Sequence, residues 1–111
     1  MAQTVIRFQL DARIEWKFAR DPKSDRWIGV CPALKVTAEA DTWAELTQVI
    51  NEVHNELFRD LLEEGELQPF LAQHGWIPMM PIPIKPTNVT FDIPAHMIPA
   101  NSNDRTREIH Q

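Results

Sequence analysis

Apolar and polar residues alternate without interruption near the N-terminus. Between Ile6 and Phe18, every even-numbered residue is apolar and every odd-numbered residue is polar or charged. A period of two predicts a β-strand with one buried and one solvated face. At about 3.3 Å per residue this run would extend roughly 40 Å, which exceeds the usual strand length. We therefore expect a bend, a bulge or a strand shared with a second chain.

Two further strands are predicted before the first helical pattern. The segment DPKSD, residues 21–25, has the proline and the short polar side chains of a turn. Trp27 to Cys31 then forms the returning strand of a hairpin, and Pro32 ends its hydrogen-bond ladder because proline has no N–H. The alternation over residues 34–38 predicts a third, short strand.

A helix is predicted after these strands. Thr42 is followed three residues later by Glu45, which is the capping-box pattern of a helix N-terminus. Apolar residues then recur at spacings of three and four, as on the buried face of a helix. They are Leu46, Val49, Ile50, Val53, Leu57 and Leu61. Gly65 is predicted to end this helix in a left-handed conformation.

The second half of the chain predicts a shorter helix and one more strand. The helical pattern ends at Gly75, and residues 78–86, PMMPIPIKP, predict an extended connector because of their four prolines. Alternation returns over residues 89–97 and predicts a fourth strand, in which Pro94 favours a position at a sheet edge. Residues 100–111 are polar and are expected to form a flexible tail.

Length and composition restrict the class of protein. A chain of 111 residues is long enough for one core, so we predict a single domain over residues 1–99. The 11 basic and 16 acidic residues give a formal net charge of −5. This balance argues against a nucleic-acid-binding surface, because phosphate binding needs clustered Lys and Arg. Without a signal-peptide pattern or a long apolar run, we expect a soluble cytoplasmic domain that does not enter a membrane.

Candidate catalytic and metal-binding residues are few. Cys31 is the only cysteine and lies in an apolar strand without a neighbouring cation, which favours a buried structural thiol over a reactive one. His54 lies beside the apolar face of the first helix, where a boundary position is favoured over a metal ligand. Asp11 and Glu15 share one strand face and can bind Mg²⁺, but the interleaved basic residues favour a solvated face. We therefore predict no catalytic residue, no metal and no cofactor.

The stretch RWIGVCPALKVTAEADTWAEL, residues 26–46, is similar to the HicB-like antitoxin family. In that family a strand ends in Cys-Pro, a short strand follows, and Asp-Thr opens an acidic helix. The matching residues are Trp27, Cys31, Pro32, Leu34, Val36, Asp41, Thr42, Glu45 and Leu46. The resemblance covers residues 12–64 closely and residues 87–98 more loosely. The chain departs from the family at Ala40, where Gly is usual, and in its second helix and connector.

This resemblance implies both a fold and a function. The fold is α+β, with a three- to four-stranded antiparallel sheet in the order β-β-β-α-α-β and the helices on one face, as in a partial RNase H fold. The function is that of a non-catalytic protein-binding domain, an antitoxin that neutralises a small basic mRNA-cleaving toxin of the HicA kind. Within the motif, the residues predicted to be structural are Trp27, Cys31, Pro32, Asp41 and Thr42.

The polar face of the first helix is the predicted partner-binding surface. It carries Glu45, Glu52, Glu56 and Glu63, and an acidic face suits a basic partner because complementary charge speeds encounter and discourages wrong partners. We also expect a homo-oligomer, because the long first strand and the proline-bearing last strand suggest sheet edges that meet across a two-fold axis. The fourteen residues after Met97 are too few for a helical DNA-binding module, so direct nucleic-acid binding is not expected.

Two alternatives remain open. The chain can be a stand-alone homo-oligomer that has the same fold and binds an unknown ligand, which the apolar connector favours. A more remote alternative is a hydrolase in which Asp11 and Glu15 hold a divalent cation.

Overall fold

The structure is a computed structural model that describes residues 5–84 and 88–100. The described residues form a mixed α+β protein with two helices and two sheets, one of three strands and one of four. In chain order the elements are β1 (Ile6–Asp11), β2 (Ile14–Arg20), β3 (Trp27–Cys31), β4 (Val36–Ala40), α1 (Trp43–Glu63), α2 (Leu67–His74), β5 (Ile77–Pro78), β6 (Val89–Asp92) and β7 (Ala95–Pro99).

These elements belong to two compact units, and α1 contributes to both. The first unit contains the described residues before residue 14 and those from 51 to 94. The second unit contains residues 14–50 and the described residues from 95 onward. The helix therefore passes from the second unit into the first between Ile50 and Asn51. The prediction of one domain over residues 1–99 did not include this division.

The first unit contains the sheet β5-β1-β6. Strand β1 is antiparallel to β5 and parallel to β6. The alternation along β1 buries Phe8 and Leu10, as the sequence pattern predicted. The rings of Phe8 and Phe91 meet edge-on with centroids 5.6 Å apart, and Phe58 of α1 lies 6.0 Å from Phe91. Part of α1 therefore covers the apolar face of this sheet.

The second unit contains the sheet β4-β3-β2-β7. Strands β2, β3 and β4 are antiparallel neighbours, and β7 is parallel to β2. Gly29 of β3 lies under a closely packed pair of side chains: a Cβ atom there would be 3.3 Å from Cε3 of Trp16 and 3.5 Å from Cδ1 of Ile50. The glycine therefore allows Trp16, which is fully buried, and Ile50 of α1 to pack over the strand.

The parallel pairs correct the predicted sheet, which was a single antiparallel one. Both sheets are mixed, because β6 runs parallel to β1 and β7 runs parallel to β2. Parallel neighbours need a long crossover connection, and both helices lie in the chain that connects β2 to β7. Alternation within a strand carries no information about the direction of its neighbours, so the sequence pattern did not distinguish the two arrangements.

Two predicted strands are interrupted where the sequence indicated a break. The alternating run from Ile6 to Phe18 divides after Asp11 into β1 and β2, in agreement with the expected bend or bulge. The fourth strand divides at Pro94 into β6 and β7, because proline cannot donate to a ladder. Within the described part of the chain, β6 and β7 are edge strands of their sheets, as Pro94 predicted.

The predicted turns and helix ends are confirmed. The Asp21 carboxylate accepts two hydrogen bonds within its turn, from the N–H of Lys23 and the hydroxyl of Ser24. The N–H of Glu45 donates to Oγ1 of Thr42 at 3.1 Å, which is the capping interaction expected at the start of α1. Gly65 and Gly75 follow α1 and α2 with φ angles of 72° and 70°, which is the left-handed conformation typical of helix ends.

Parts of two sequence predictions lie outside the described residues. The connector predicted over residues 78–86 is described as far as Ile84, and residues 85–87 are not. Of the tail predicted over residues 100–111, only Ala100 is described. In the described ranges, neither helix combines the length and the apolar character that crossing a membrane requires.

The buried face of α1 differs from the predicted one. Its buried residues follow one another at intervals of four: Leu46, Ile50, His54, Phe58 and Leu62. From His54 to Leu62, within the first unit, this row turns by roughly 80° around the helix axis, because each interval of four adds about 40°. The predicted residues Val53, Leu57 and Leu61 are only half-buried. His54, which was predicted at the boundary, is 1% exposed, and this corrects its assignment.

Candidate functional site

A row of carboxylates follows the exposed side of α1. The four predicted partner-binding residues are separated by seven, four and seven positions: Glu45, Glu52, Glu56 and Glu63. At about 100° per residue, they lie within roughly 40° of one another around the helix axis. All four are exposed. We call these residues the acidic row.

The charge of the acidic row is not compensated nearby. Between residues 45 and 66 there are seven acidic residues and one basic residue, Arg59, so this segment has a formal charge of −6, compared with −5 for the whole chain. Nη2 of Arg59 donates to the Val89 carbonyl at 2.9 Å. Within residues 5–84 and 88–100, the ion pairs involve only acidic residues outside this segment. The exposed side of α1 therefore has a strongly negative surface.

Acidic residues also surround the C-terminal end of α1. Glu63 is the last helical residue, Glu64 and Glu66 follow, and the last turn contains no basic residue. The carbonyl end of a helix carries partial negative charge, so each carboxylate near it costs typically about 0.3–1 kcal/mol. Glu63 therefore opposes the stability of α1, whereas Glu66 lies at the N-terminus of α2, where a carboxylate is favourable.

A groove lies at the corner between α1 and α2. It has a volume of about 550 Å³. Its lining residues are Leu61, Glu64, Glu66, Pro69, Phe70 and Gln73. Glu66 is the N-cap residue of α2, but its side chain makes no capping hydrogen bond. The groove therefore combines an apolar floor with two carboxylates. We call it the corner groove.

Aromatic rings support the floor of the corner groove. Phe70 meets Phe58 edge-on at 6.1 Å between centroids. On its other side, the His74 ring lies 4.4 Å from both Phe70 and Trp76, and Nδ1 of His74 donates to the Phe70 carbonyl at 2.9 Å. Because these contacts hold Phe70 in place, the apolar surface that it presents is preorganised.

Three polar side chains of α1 bind backbone groups along the outer edge of β6 and of Ile93, which follows it. We call His54, Asn55 and Arg59 the β6 clasp. Nδ1 of His54 donates to the Ile93 carbonyl at 2.9 Å, the Phe91 N–H donates to Oδ1 of Asn55 at 2.8 Å, and Nη2 of Arg59 donates to the Val89 carbonyl at 2.9 Å. An unpaired strand edge invites pairing with another chain, and the clasp satisfies these backbone groups instead.

Sequence reasoning missed the β6 clasp, although one signal was present. His54 lies four residues before Phe58, and a polar residue in a buried row needs an internal hydrogen-bond partner. Burial lowers the pKa of His54, and the hydrogen bond to the Ile93 carbonyl opposes this effect in part. The imidazole is therefore held in its neutral form, with the proton on Nδ1.

The motif residues of the second unit have packing and capping contacts. Trp27 lies 5.3 Å from Trp43 between ring centroids, and the guanidinium of Arg20 lies 5.5 Å from the Trp27 ring. Asp41 accepts a hydrogen bond from Nη1 of Arg26 at 3.1 Å. Pro32 begins the tight turn that follows β3. This arrangement is that of a scaffold.

Cys31 is fully buried at the end of β3. Burial raises the pKa of its thiol, an effect that hydrogen bonds from neighbouring backbone groups oppose in part. A thiol with a raised pKa is largely protonated at neutral pH and is a poor nucleophile or metal ligand. The structure therefore places Cys31 among the packing residues, as its sequence context favoured.

The carboxylates considered for a divalent cation fall in different units. Asp11 ends β1 in the first unit, and Glu15 lies in β2 in the second. Among the residues that the structure describes, no three or more His, Cys, Asp or Glu side chains form a group that can hold a metal ion. No protein-family model, no curated protein and no solved structure matches this chain.

Proposed function

We propose that this chain is a HicB-like antitoxin domain of the cytoplasm that binds and neutralises a small basic mRNA-cleaving toxin without catalysing a reaction itself. The observation that carries the proposal is the acidic row: Glu45, Glu52, Glu56 and Glu63 are all exposed on one side of α1. Their segment, residues 45–66, has a formal charge of −6, compared with −5 for the whole chain. Such a surface attracts a basic protein at long range and discourages acidic competitors.

The strand order of the second unit supports the fold part of the proposal. Three antiparallel strands, β2 to β4, are followed by α1, and the chain then returns in β7 beside β2. This is the succession of three strands, a helix and a fourth strand that the resemblance to HicB-like domains implies. In this proposal, the partial RNase H fold corresponds to the second unit, and α2 with the corner groove is an addition to it.

A capture experiment with the full chain tests the proposed function. The tagged chain is used as bait in extracts of its native host, and co-purifying proteins are identified by mass spectrometry. We expect a basic protein of under about a hundred residues in a fixed molar ratio to the bait. The captured protein is then purified and added to a reporter mRNA with and without the full chain. Cleavage that the full chain abolishes supports the proposal, and cleavage that it leaves unchanged refutes it.

A matched pair of variants ties this interaction to α1. Glu52→Gln/Glu56→Gln removes two charges from the acidic row, and Asp11→Asn/Glu39→Gln removes two charges from strands. Surface ion pairs contribute up to about 1 kcal/mol each, so we expect about tenfold weaker toxin binding for the first variant. The second should bind within about twofold of wild type. Equal losses in both variants would contradict a role for the acidic row.

Self-association is a second candidate, which the exposed connector favours. In the connector the side chains of Met79 and Ile84 are 67% and 93% exposed, and that of Ile77, just before it, is 62% exposed. Large exposed apolar surfaces are typical of interaction sites. We expect the full chain to elute as a homo-oligomer, by light scattering coupled to size exclusion, and Met79→Ser/Ile84→Ser to shift it toward the monomer. A wild-type chain that is monomeric at all concentrations would refute this candidate.

A further inference from the structure

We infer that the corner groove, and not the acidic row alone, is the site that recognises the basic partner, by binding an Arg or Lys that is flanked by an apolar side chain. The inference rests on the proposed function, which supplies a basic partner, and it names the contact surface on this chain. The cationic head would lie between Glu64 and Glu66, and the apolar neighbour would pack on Phe70 and Pro69.

Charge complementarity determines which occupant fits the corner groove. Glu64 and Glu66 are both exposed at the groove, and within the described residues neither takes part in an ion pair. The carbonyl end of α1 and the N-terminus of α2 meet at this corner, and their partial charges have opposite signs. The two carboxylates are therefore the charges that favour a cation there.

The apolar floor adds a requirement that charge alone does not impose. Leu61 and Phe70 are half-buried, and Pro69 is exposed, so the groove has apolar surface that an occupant can remove from water. Phe70 is held by Phe58 and His74, which lowers the entropy cost of ordering the site on binding. An apolar side chain next to a cationic one meets both parts of the groove.

The apolar surface continues from the groove along α1. Val53, Leu57 and Leu61 follow one another at intervals of four and are all half-buried. Acidic residues flank them at the same interval: Glu52, Glu56, Asp60 and Glu64. Residues four apart on a helix form a ridge that can pack into the groove of another helix. The segment of the partner that enters the corner groove is therefore expected to be an amphipathic helix with basic residues beside its apolar face.

A peptide titration tests the corner groove without requiring the partner. The probe is a fluorescent amphipathic peptide of about 14 residues, long enough for helix formation, with Leu on one face and Arg beside it. A second peptide keeps every Arg and replaces each Leu by Ser. Each peptide is titrated with three proteins: the wild-type chain, Glu64→Gln/Glu66→Gln and Asp11→Asn/Glu39→Gln. Binding is followed by fluorescence anisotropy near 0.15 M ionic strength, which limits non-specific attraction. Thermal unfolding of each variant verifies that it is folded.

We expect Glu64→Gln/Glu66→Gln to weaken binding of the Leu peptide about fivefold to tenfold, because it removes two partly desolvated charge contacts. Asp11→Asn/Glu39→Gln, which changes the net charge equally, should stay within about twofold of wild type. The Ser peptide should bind about tenfold more weakly than the Leu peptide to the wild-type chain. Amide resonances of Leu61 and Phe70 should shift on addition of the Leu peptide.

Equal weakening of Leu-peptide binding in the two variants would mean that binding depends only on long-range charge, and this would overturn the inference. Equal binding of the Leu and Ser peptides would overturn the apolar part and with it the proposed occupant. The proposed function fails in a different experiment, when the capture recovers no mRNA-cleaving protein that the full chain inhibits. If the captured toxin is inhibited but binds Glu64→Gln/Glu66→Gln as tightly as wild type, the groove is refuted and the proposed function stands.

Discussion

The buried imidazole of His54 predicts that acid destabilises this protein through one identified residue. His54 is 1% exposed, and its Nδ1–H donates to the Ile93 carbonyl at 2.9 Å. Ile93 is itself 3% exposed, so this carbonyl depends on a protein donor. The substitution His54→Gln keeps a polar side chain that can donate to the carbonyl but removes the titrating group.

The direction of the pH effect follows from the lowered pKa of His54. In the unfolded chain a histidine binds its proton below about pH 6.5. The folded state resists protonation until a lower pH, because burial disfavours the charged ring. Between the pKa of His54 in the folded state and its higher pKa in the unfolded state, the unfolded state holds more protons. The free energy of unfolding therefore rises with pH in this range and is lost as the pH falls below about 6.5.

The size of the effect is limited by a single proton. One proton taken up only by the unfolded state gives a slope of at most about 1.4 kcal/mol per pH unit. From pH 6.5 to 5, His54 can therefore remove at most about 2 kcal/mol from the free energy of unfolding. This is a large fraction of the typical total of about 5–15 kcal/mol.

Urea unfolding followed by tryptophan fluorescence, repeated at several pH values, measures this contribution. We expect the wild-type free energy of unfolding to fall more steeply below pH 6.5 than that of His54→Gln, with the two curves parallel above pH 7.5. At high pH the variant should be less stable by about 1–3 kcal/mol, because the packing and the hydrogen bond are imperfectly replaced. Parallel curves over the whole pH range would show that His54 does not control the acid response, and the reasoning would be wrong.

Two further predictions concern packing and helix electrostatics. Gly29→Ala should lower the free energy of unfolding by about 1 kcal/mol, and Gly29→Val by more. The added Cβ would lie 3.3 Å from the buried Trp16 ring, and overpacking costs about 1–3 kcal/mol. Urea titration measures the change, and a Gly29→Ala variant more stable than wild type would contradict this prediction. Glu63→Gln should raise stability by about 0.5 kcal/mol, because it removes a carboxylate from the negative end of α1. Its thermal midpoint compared with that of Glu52→Gln provides the control, and a lower midpoint for Glu63→Gln would refute the dipole argument.

The β6 clasp also explains how the edge of this sheet is kept from pairing with other chains. Its three hydrogen bonds come from one helix and reach backbone groups of alternate residues on one edge. An uncovered edge strand is a template for aggregation. Since the clasp occupies the edge with side chains, α1 serves two purposes: one side of it protects β6, and its exposed side carries the acidic row.

The local structure of this protein could be predicted from residues that are neighbours in the sequence. The alternation from Ile6 to Phe18 predicted buried and exposed positions, Pro94 predicted a break at a sheet edge, and Thr42 and Gly65 predicted the ends of α1. Each of these signals depends on residues that are close in the sequence. Spacing along α1 also placed the acidic row on one side of the helix, because that geometry depends only on the helical repeat.

Contacts between distant parts of the chain decide which side of α1 is buried, which strands are parallel, and where the corner groove lies. In the first unit, α1 buries His54 and Phe58, whereas the predicted Val53 and Leu57 are half-buried. The clasp joins residues 30 to 39 positions apart, and the corner groove requires α2 to fold beside the end of α1. A pattern within one element contains no information about such contacts, because their energy depends on residues that are distant in the sequence and become neighbours only when the chain folds.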